Sequence, residues 1–157
     1  MKLIRRPSPH FNARKAPIDM IVIHAMEHPD IDEACACLDG YRVSAHFLIA
    51  RDGSVVRCVD EDKRAWHAGV SSWRGVSEDL NSHSIGIEFL CDSFSRKRRV
   101  NFTKKQVAVG VRLCRRLMRD YGIPAVNIVR HSDIAPERKS DPGRYFPWRM
   151  FLGSLTR

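Results

Sequence analysis

The stretch from His131 to Asp141, HSDIAPERKSD, sets an imidazole and a carboxylate ten residues apart, with Lys139 two positions before the acid. Far upstream, the apolar run Met20-Ile21-Val22-Ile23 ends in a second imidazole, His24. Two histidines and one aspartate are three protein ligands, the number a catalytic zinc site uses when its fourth position stays open to water. Singly, each has an ordinary explanation: a histidine closing a buried strand is usually structural, and an aspartate before Pro142-Gly143 usually forms a turn. Glu88 changes the balance. In Ile85-Gly86-Ile87-Glu88-Phe89-Leu90 it places a charge inside an apolar strand, which is costly unless the carboxylate has a partner or a task. Burial there should raise its pKa toward the range of a general base. The pattern points to metal-assisted hydrolysis in which Glu88 takes a proton from the attacking water and returns it to the departing amine. Lys139 would face the carbonyl oxygen as it becomes an oxyanion.

The elements that must position these groups are visible as periodicities. Met20 to His24 reads as a strand covered on both faces, and Ser84 to Leu90 as another. Asp30 to Leu38 reads as a short helix capped by Asp30, with Glu33 three residues later. Ala45–Ala50 and Val55–Val59 form a predicted hairpin about the turn Arg51-Asp52-Gly53-Ser54. The clearest helix begins at Thr103, which with Gln106 has capping-box spacing and is flanked by the staple pair Phe102 and Val107. It stops at Gly122 and Pro124, and its apolar stripe is Val107, Val111, Cys114, Met118 and Tyr121. Ile128 to Arg130 leads into a loop opened by His131, and Pro147 to Leu152 suggests a closing helix. These elements predict an α/β fold: a single domain with a central mixed β-sheet flanked by helices.

Composition limits the alternatives. A chain of 157 residues is one domain able to bury a core without disulfide staples. Hydrophobic residues at 43% and charged ones at 29% are those of a globular chain, and no apolar run approaches the roughly 18 residues of a membrane span. MKLIRRPSPHF has charge but no apolar stretch behind it, so a cytoplasmic location is expected, with release by lysis or a removed signal as the other routes. The five cysteines, an odd number without a C-x-x-C pair, are expected to be reduced packing residues. A net charge of +9 raises the question of nucleic acid. Basic residues cluster at Arg96, Lys97, Arg98 and Arg99, then recur at Lys104, Lys105, Arg112, Arg115, Arg116 and Arg119. The latter six fall on the long helix, mostly opposite its apolar stripe and without interleaved aromatics, so they read as a solvated face and not as a base-stacking surface. Such a surface would still attract an anionic cell-wall polymer.

Five segments in order carry a family resemblance: IVIH at His24, VSAHFLIARDGSVVR from Val43, DKRAWHAGVSSWRG from Asp62, NSHSIGIEFL from Asn81 and HSDIAPERKSDPG from His131. Over about residues 17 to 150 the chain resembles the zinc-dependent N-acetylmuramoyl-L-alanine amidases of the amidase-2 group. That group includes AmpD-type amidases, phage amidases and peptidoglycan recognition proteins. The resemblance implies one Zn2+ per chain on His24, His131 and Asp141, with Glu88 and Lys139 as catalytic residues. Arg64, Trp66, His67 and Ala68 would then be the groove wall that receives the stem peptide, with Arg64 on a peptide carboxylate. Trp66 reads equally as a core residue, and His46, His67 and His83 as structural or groove histidines. Peptidoglycan or a muropeptide would be the partner, and the chain would act as a monomer away from membranes. A non-catalytic peptidoglycan-binding recognition protein is the alternative. Two departures from the family pattern bear on sugar specificity: Ala25 follows the first histidine where Tyr or Asn is common, and the loop from Met26 to Tyr41 is short.

Overall fold

The computed structural model describes residues 3–93 and 101–156, so the basic run at 96–99 lies outside the described residues. Its elements are β1 (Leu3–Arg5), β2 (Phe11–Ala13), β3 (Met20–Met26), α1 (Ile31–Gly40), β4 (Phe47–Ile49), β5 (Val55–Arg57), β6 (Lys63–Ala65), α2 (Leu80–His83), β7 (Ser84–Leu90), α3 (Lys104–Tyr121), β8 (Ile128–Arg130), α4 (His131–Ile134) and α5 (Trp148–Leu155). Six strands form one sheet in the order β1-β5-β4-β7-β3-β8, while β2 and β6 pair separately and antiparallel. Within the large sheet only the β4–β5 hairpin is antiparallel, as its Asp-Gly turn demands. Gly53 takes φ +83° there, a left-handed conformation open to glycine at little cost. The sheet is therefore mixed, with helices flanking it. Among the described residues no helix is long and apolar enough to cross a membrane.

The center of the sheet is parallel and apolar because it is covered on both sides. Every residue of β3 from Met20 to Ala25 is buried. α3 lies across one face, and Gly110 brings it directly onto Phe89 of β7, where a Cβ would collide with the ring. Its capping box is formed: Thr103 Oγ1 accepts from Gln106 N at 3.0 Å and Gln106 Oε1 from Thr103 N at 3.3 Å. The same Gln106 is wholly buried and donates to the carbonyls of Ile49 and Leu90, 2.8 Å each, tying α3 to the ends of β4 and β7.

Three expectations need correction. Of the expected stripe of α3, Val107, Val111 and Cys114 are buried and Met118 packs against the core, but the buried face is wider, taking in Val109, Gly110, Leu113 and Leu117, and Tyr121 is exposed and donates its hydroxyl to Glu61 at 2.7 Å. Arg116 leaves the solvated face to pair with Glu61 at 2.7 Å, which is possible because a long guanidinium stem can fold back along its helix. His131 opens a helical turn, α4, in place of a loop: the Asp133 carboxylate accepts from Arg130 N at 2.8 Å and so caps the turn's start. The five cysteines are free thiols, with Cys58, Cys91 and Cys114 buried.

Candidate active site

Parallel register places the first two groups. β3 and β7 pair so that His24 stands directly beside Glu88, and β3 pairs on its other side with β8, Ile23 opposite Arg130. His131 is the next residue after that last pairing, so it arrives at the same end of the sheet as His24. This is the carboxyl edge, where parallel sheets commonly bind ligands. Asp141 returns ten residues later, held by its own carbonyl accepting from Ser132 N at 3.0 Å.

The three groups face one center. His24 Nδ1 is 2.9 Å from His131 Nδ1 and 3.3 Å from Asp141 Oδ2, and His131 Nδ1 is 3.2 Å from that oxygen. Four-coordinate zinc with bonds of about 2.0–2.1 Å has ligand edges of roughly 3.3 Å, so these atoms have the spacing of three corners of one tetrahedron. His24, His131 and Asp141 form the one group of three or more possible metal ligands found among the described residues. All three are buried. Burial, together with the neighboring His131, lowers His24 to about 4, keeping its imidazole neutral. Burial alone would raise Asp141, but the close contacts of its carboxylate with the His131 and His24 rings hold it below the usual carboxylate range. Neutral imidazole and ionised carboxylate are the forms that ligate a metal.

Glu88 stands just outside this triangle. Its Oε1 is 3.9 Å from His24 Nδ1, and its Oε2 is buried without a hydrogen-bond partner. Burial pushes its carboxyl well above the usual range, the Asp141 charge adds to the rise, and the Lys139 ammonium opposes it. The donor triangle, Glu88 and Lys139 border one cleft of about 730 Å³. Ala25 and Met26 of β3 and Tyr41 after α1 line the same cleft.

The groove residues expected from sequence divide. Trp66 lines the cleft and donates Nε1–H to Asn12 Oδ1 at 3.1 Å, so it is wall and not core. His67 borders the cleft behind His24, with its Nδ1 3.0 Å from His24 Nε2. Ala68 is buried, and its carbonyl lies 3.3 Å from His131 Nε2. Arg64, expected to meet a peptide carboxylate, meets one of the chain's own: its Nε donates to Asp79 at 2.6 Å, and the residue does not line the cleft. His46 is structural, accepting from Gly86 N at Nδ1 (3.0 Å), and burial with the Arg14 charge lowers it to about 3.

A model of the N-acetylmuramoyl-L-alanine amidase family, amidase-2, matches residues 14–144. The chain belongs to this family. The 1,6-anhydro-N-acetylmuramyl-L-alanine amidase AmpD of Citrobacter freundii is 36% identical, over 97% of this chain and 89% of that protein. The N-acetylmuramoyl-L-alanine amidase AmiD of Escherichia coli K12 is 36% identical over 85% of this chain and 51% of its own length. A crystal structure of a selenomethionine AmpD derivative superposes with a TM-score of 0.81 at 34% identity, covering 98% of this chain and 94% of that one. E. coli AmiD in complex with anhydro-N-acetylmuramic acid-L-Ala-D-γ-Glu-L-Lys superposes with a TM-score of 0.77 at 35% identity, covering 91% and 60%.

Two cleft residues of this amidase had not been singled out from its sequence. Tyr41, 78% exposed, gives no local signal, because a tyrosine after a helix has many bland uses. Arg138 stood beside Lys139 and was readable in principle. Its guanidinium donates to the carbonyls of Ala68 (2.6 Å) and Val70 (3.0 Å from Nε), clamping the loop after Trp66 against the ligand segment. Gly69 lies beneath it with φ +60°, and a Cβ there would come within 3.0 Å of Arg138.

Proposed function

We propose that this amidase hydrolyses the bond between the lactyl carbonyl of N-acetylmuramic acid and the nitrogen of L-alanine, in peptidoglycan or its muropeptide fragments, with one zinc ion held by His24, His131 and Asp141. The observation that carries the reading is the convergence of those donor atoms, 2.9 to 3.3 Å apart, at a cleft that also holds Glu88. Zinc bound there would polarise the amide carbonyl and lower the pKa of water from about 15.7 toward about 7. Glu88 is suited to accept a proton from the attacking water, since its elevated pKa makes it a stronger base than a surface carboxylate. It then delivers that proton to the alanine nitrogen as the C–N bond breaks. Lys139 donates to the carbonyl oxygen while negative charge gathers on it. Trp66 forms the wall along which the substrate lies. Arg64 would have to leave Asp79 to reach a peptide carboxylate, so its part is to hold the wall. All donors come from one chain, which supports a monomer as the working unit.

The relatives named for 1,6-anhydro substrates, and the AmiD complex, support a muropeptide as the substrate class. Incubating the zinc-loaded protein with defined muropeptides should release one new alanine α-amino group per bond cut. Chelation should abolish the release and added zinc restore it. A protein that holds one zinc and binds muropeptides, yet frees no amine, would be a recognition protein and would overturn the proposal.

A further inference from the structure

His67 belongs to no role in the proposed reaction, yet its ring at the edge of the cleft is held on both sides. Its ring nitrogens each have a partner: Nδ1 is 3.0 Å from His24 Nε2, and Nε2 is 3.3 Å from Ser84 Oγ. Ser84 Oγ in turn lies 2.6 Å from the Leu80 carbonyl. A carbonyl only accepts, and this fixes the direction of the whole series. Ser84 must donate to Leu80, so its oxygen accepts from His67 Nε2–H. A neutral His67 then has its lone pair on Nδ1 and accepts from His24 Nε2–H. His24 is left with its own lone pair on Nδ1, the atom facing His131 and Asp141.

We infer that His67, backed by Ser84, is a positioning residue that selects the tautomer and orientation in which His24 meets the metal. The inference rests on the zinc reading above and deepens it. The same logic acts on the opposite imidazole without a relay, because His131 Nε2 is 3.3 Å from the Ala68 carbonyl and must donate to it, freeing Nδ1. Two imidazole lone pairs therefore face one another at 2.9 Å, an arrangement that repels itself unless a cation sits between them. The fold works to keep His67 in place. Asn81 Oδ1 accepts from the backbone N–H of His67 (3.0 Å) and of Ala68 (2.7 Å). Gly86 leaves the space its ring needs, since a Cβ at that position would lie 2.5 Å from His67 Cγ. Asn81, Ser84 and Gly86 thus give the segment NSHSIG a purpose apart from carrying Glu88.

Outer partners of metal-bound histidines are worth about 10- to 100-fold in metal affinity, which sets the expected scale. Zinc affinity of the full chain is to be measured by competition with a chromophoric chelator, and the ring tautomer of His24 by long-range proton–nitrogen NMR. His67→Leu should weaken zinc about 10- to 100-fold. His67→Asn should bind more tightly than His67→Leu, because its side-chain oxygen falls near the position of Nδ1 and can accept from His24. Ser84→Ala removes the anchor without touching the ring, and should populate a second His24 tautomer even if His67→Leu folds poorly. A folded His67→Leu that holds zinc as the wild type does, or an unchanged His24 tautomer in Ser84→Ala, would overturn the inference alone. A wild-type chain that binds no zinc would refute the metal reading as well.

Discussion

Glu88→Gln exchanges a carboxylate for an amide of equal shape at a buried place beside the donor triangle. Glu88 Oε2 has no hydrogen bond and Oε1 stands 3.9 Å from His24 Nδ1, too far from the donor triangle to be counted among its corners. The variant should therefore keep stoichiometric zinc, measured by elemental analysis. Its kcat should fall by about 10²- to 10⁴-fold, the usual contribution of a positioned acid–base group, or roughly 3–5 kcal/mol in the barrier. Amine release from a muropeptide, followed with an amine-reactive fluorophore, reads the loss. The wild-type rate should rise with pH along a limb set above the ordinary carboxylate range, because Glu88 must be ionised to accept a proton, and the variant should lack that limb. Stability offers a second check in the metal-free protein. A carboxyl whose folded pKa lies above its ordinary 4.5 contributes stability that is complete below that value and is lost as pH rises through the folded pKa. Wild-type Tm minus variant Tm should fall as pH rises from 4.5. Activity within tenfold of wild type in a zinc-replete variant would remove Glu88 from the chemistry, since that loss is about 1.4 kcal/mol and below any general-base effect of this kind.

Three further outcomes follow from neighboring contacts. Lys139→Met should lower kcat by about 10²- to 10³-fold if the ammonium stabilises the oxyanion, and should move the acid limb to higher pH because the charge opposing the rise of Glu88 is gone; an unmoved limb would place Lys139 elsewhere. Gln106→Leu strips the partners from the Ile49 and Leu90 carbonyls and should cost about 1–3 kcal/mol, seen as a Tm lower by roughly 2–4 °C per kcal/mol, with kcat retained. Arg64→Ala should lower Tm through the loss of Asp79 pairing while leaving KM for a stem peptide nearly unchanged; a KM rise without a Tm change would return Arg64 to substrate binding.

Much of the molecule is legible along the chain because the signals are local. The buried strands β3 and β7, the Asp-Gly hairpin and the capping box of α3 each depend on residues within a few positions of one another, and each formed about where its pattern placed it. The donor set His24, His131 and Asp141 could be picked out by residue type, together with the misplaced charge of Glu88. Order in the chain does not contain the register that sets His24 beside Glu88 and brings His131 in after β8; that comes from strand pairing between residues 64 and 107 positions apart. The short strands β2 and β6 and the pairing of Arg64 with Asp79 were equally unreadable, since three-residue segments have no period and a surface arginine has many candidate carboxylates. Tertiary packing alone turned His67 from one of several histidines into the partner of a ligand, because hydrogen-bond direction is set by which acceptor lies at the far end, and that acceptor is placed by the fold.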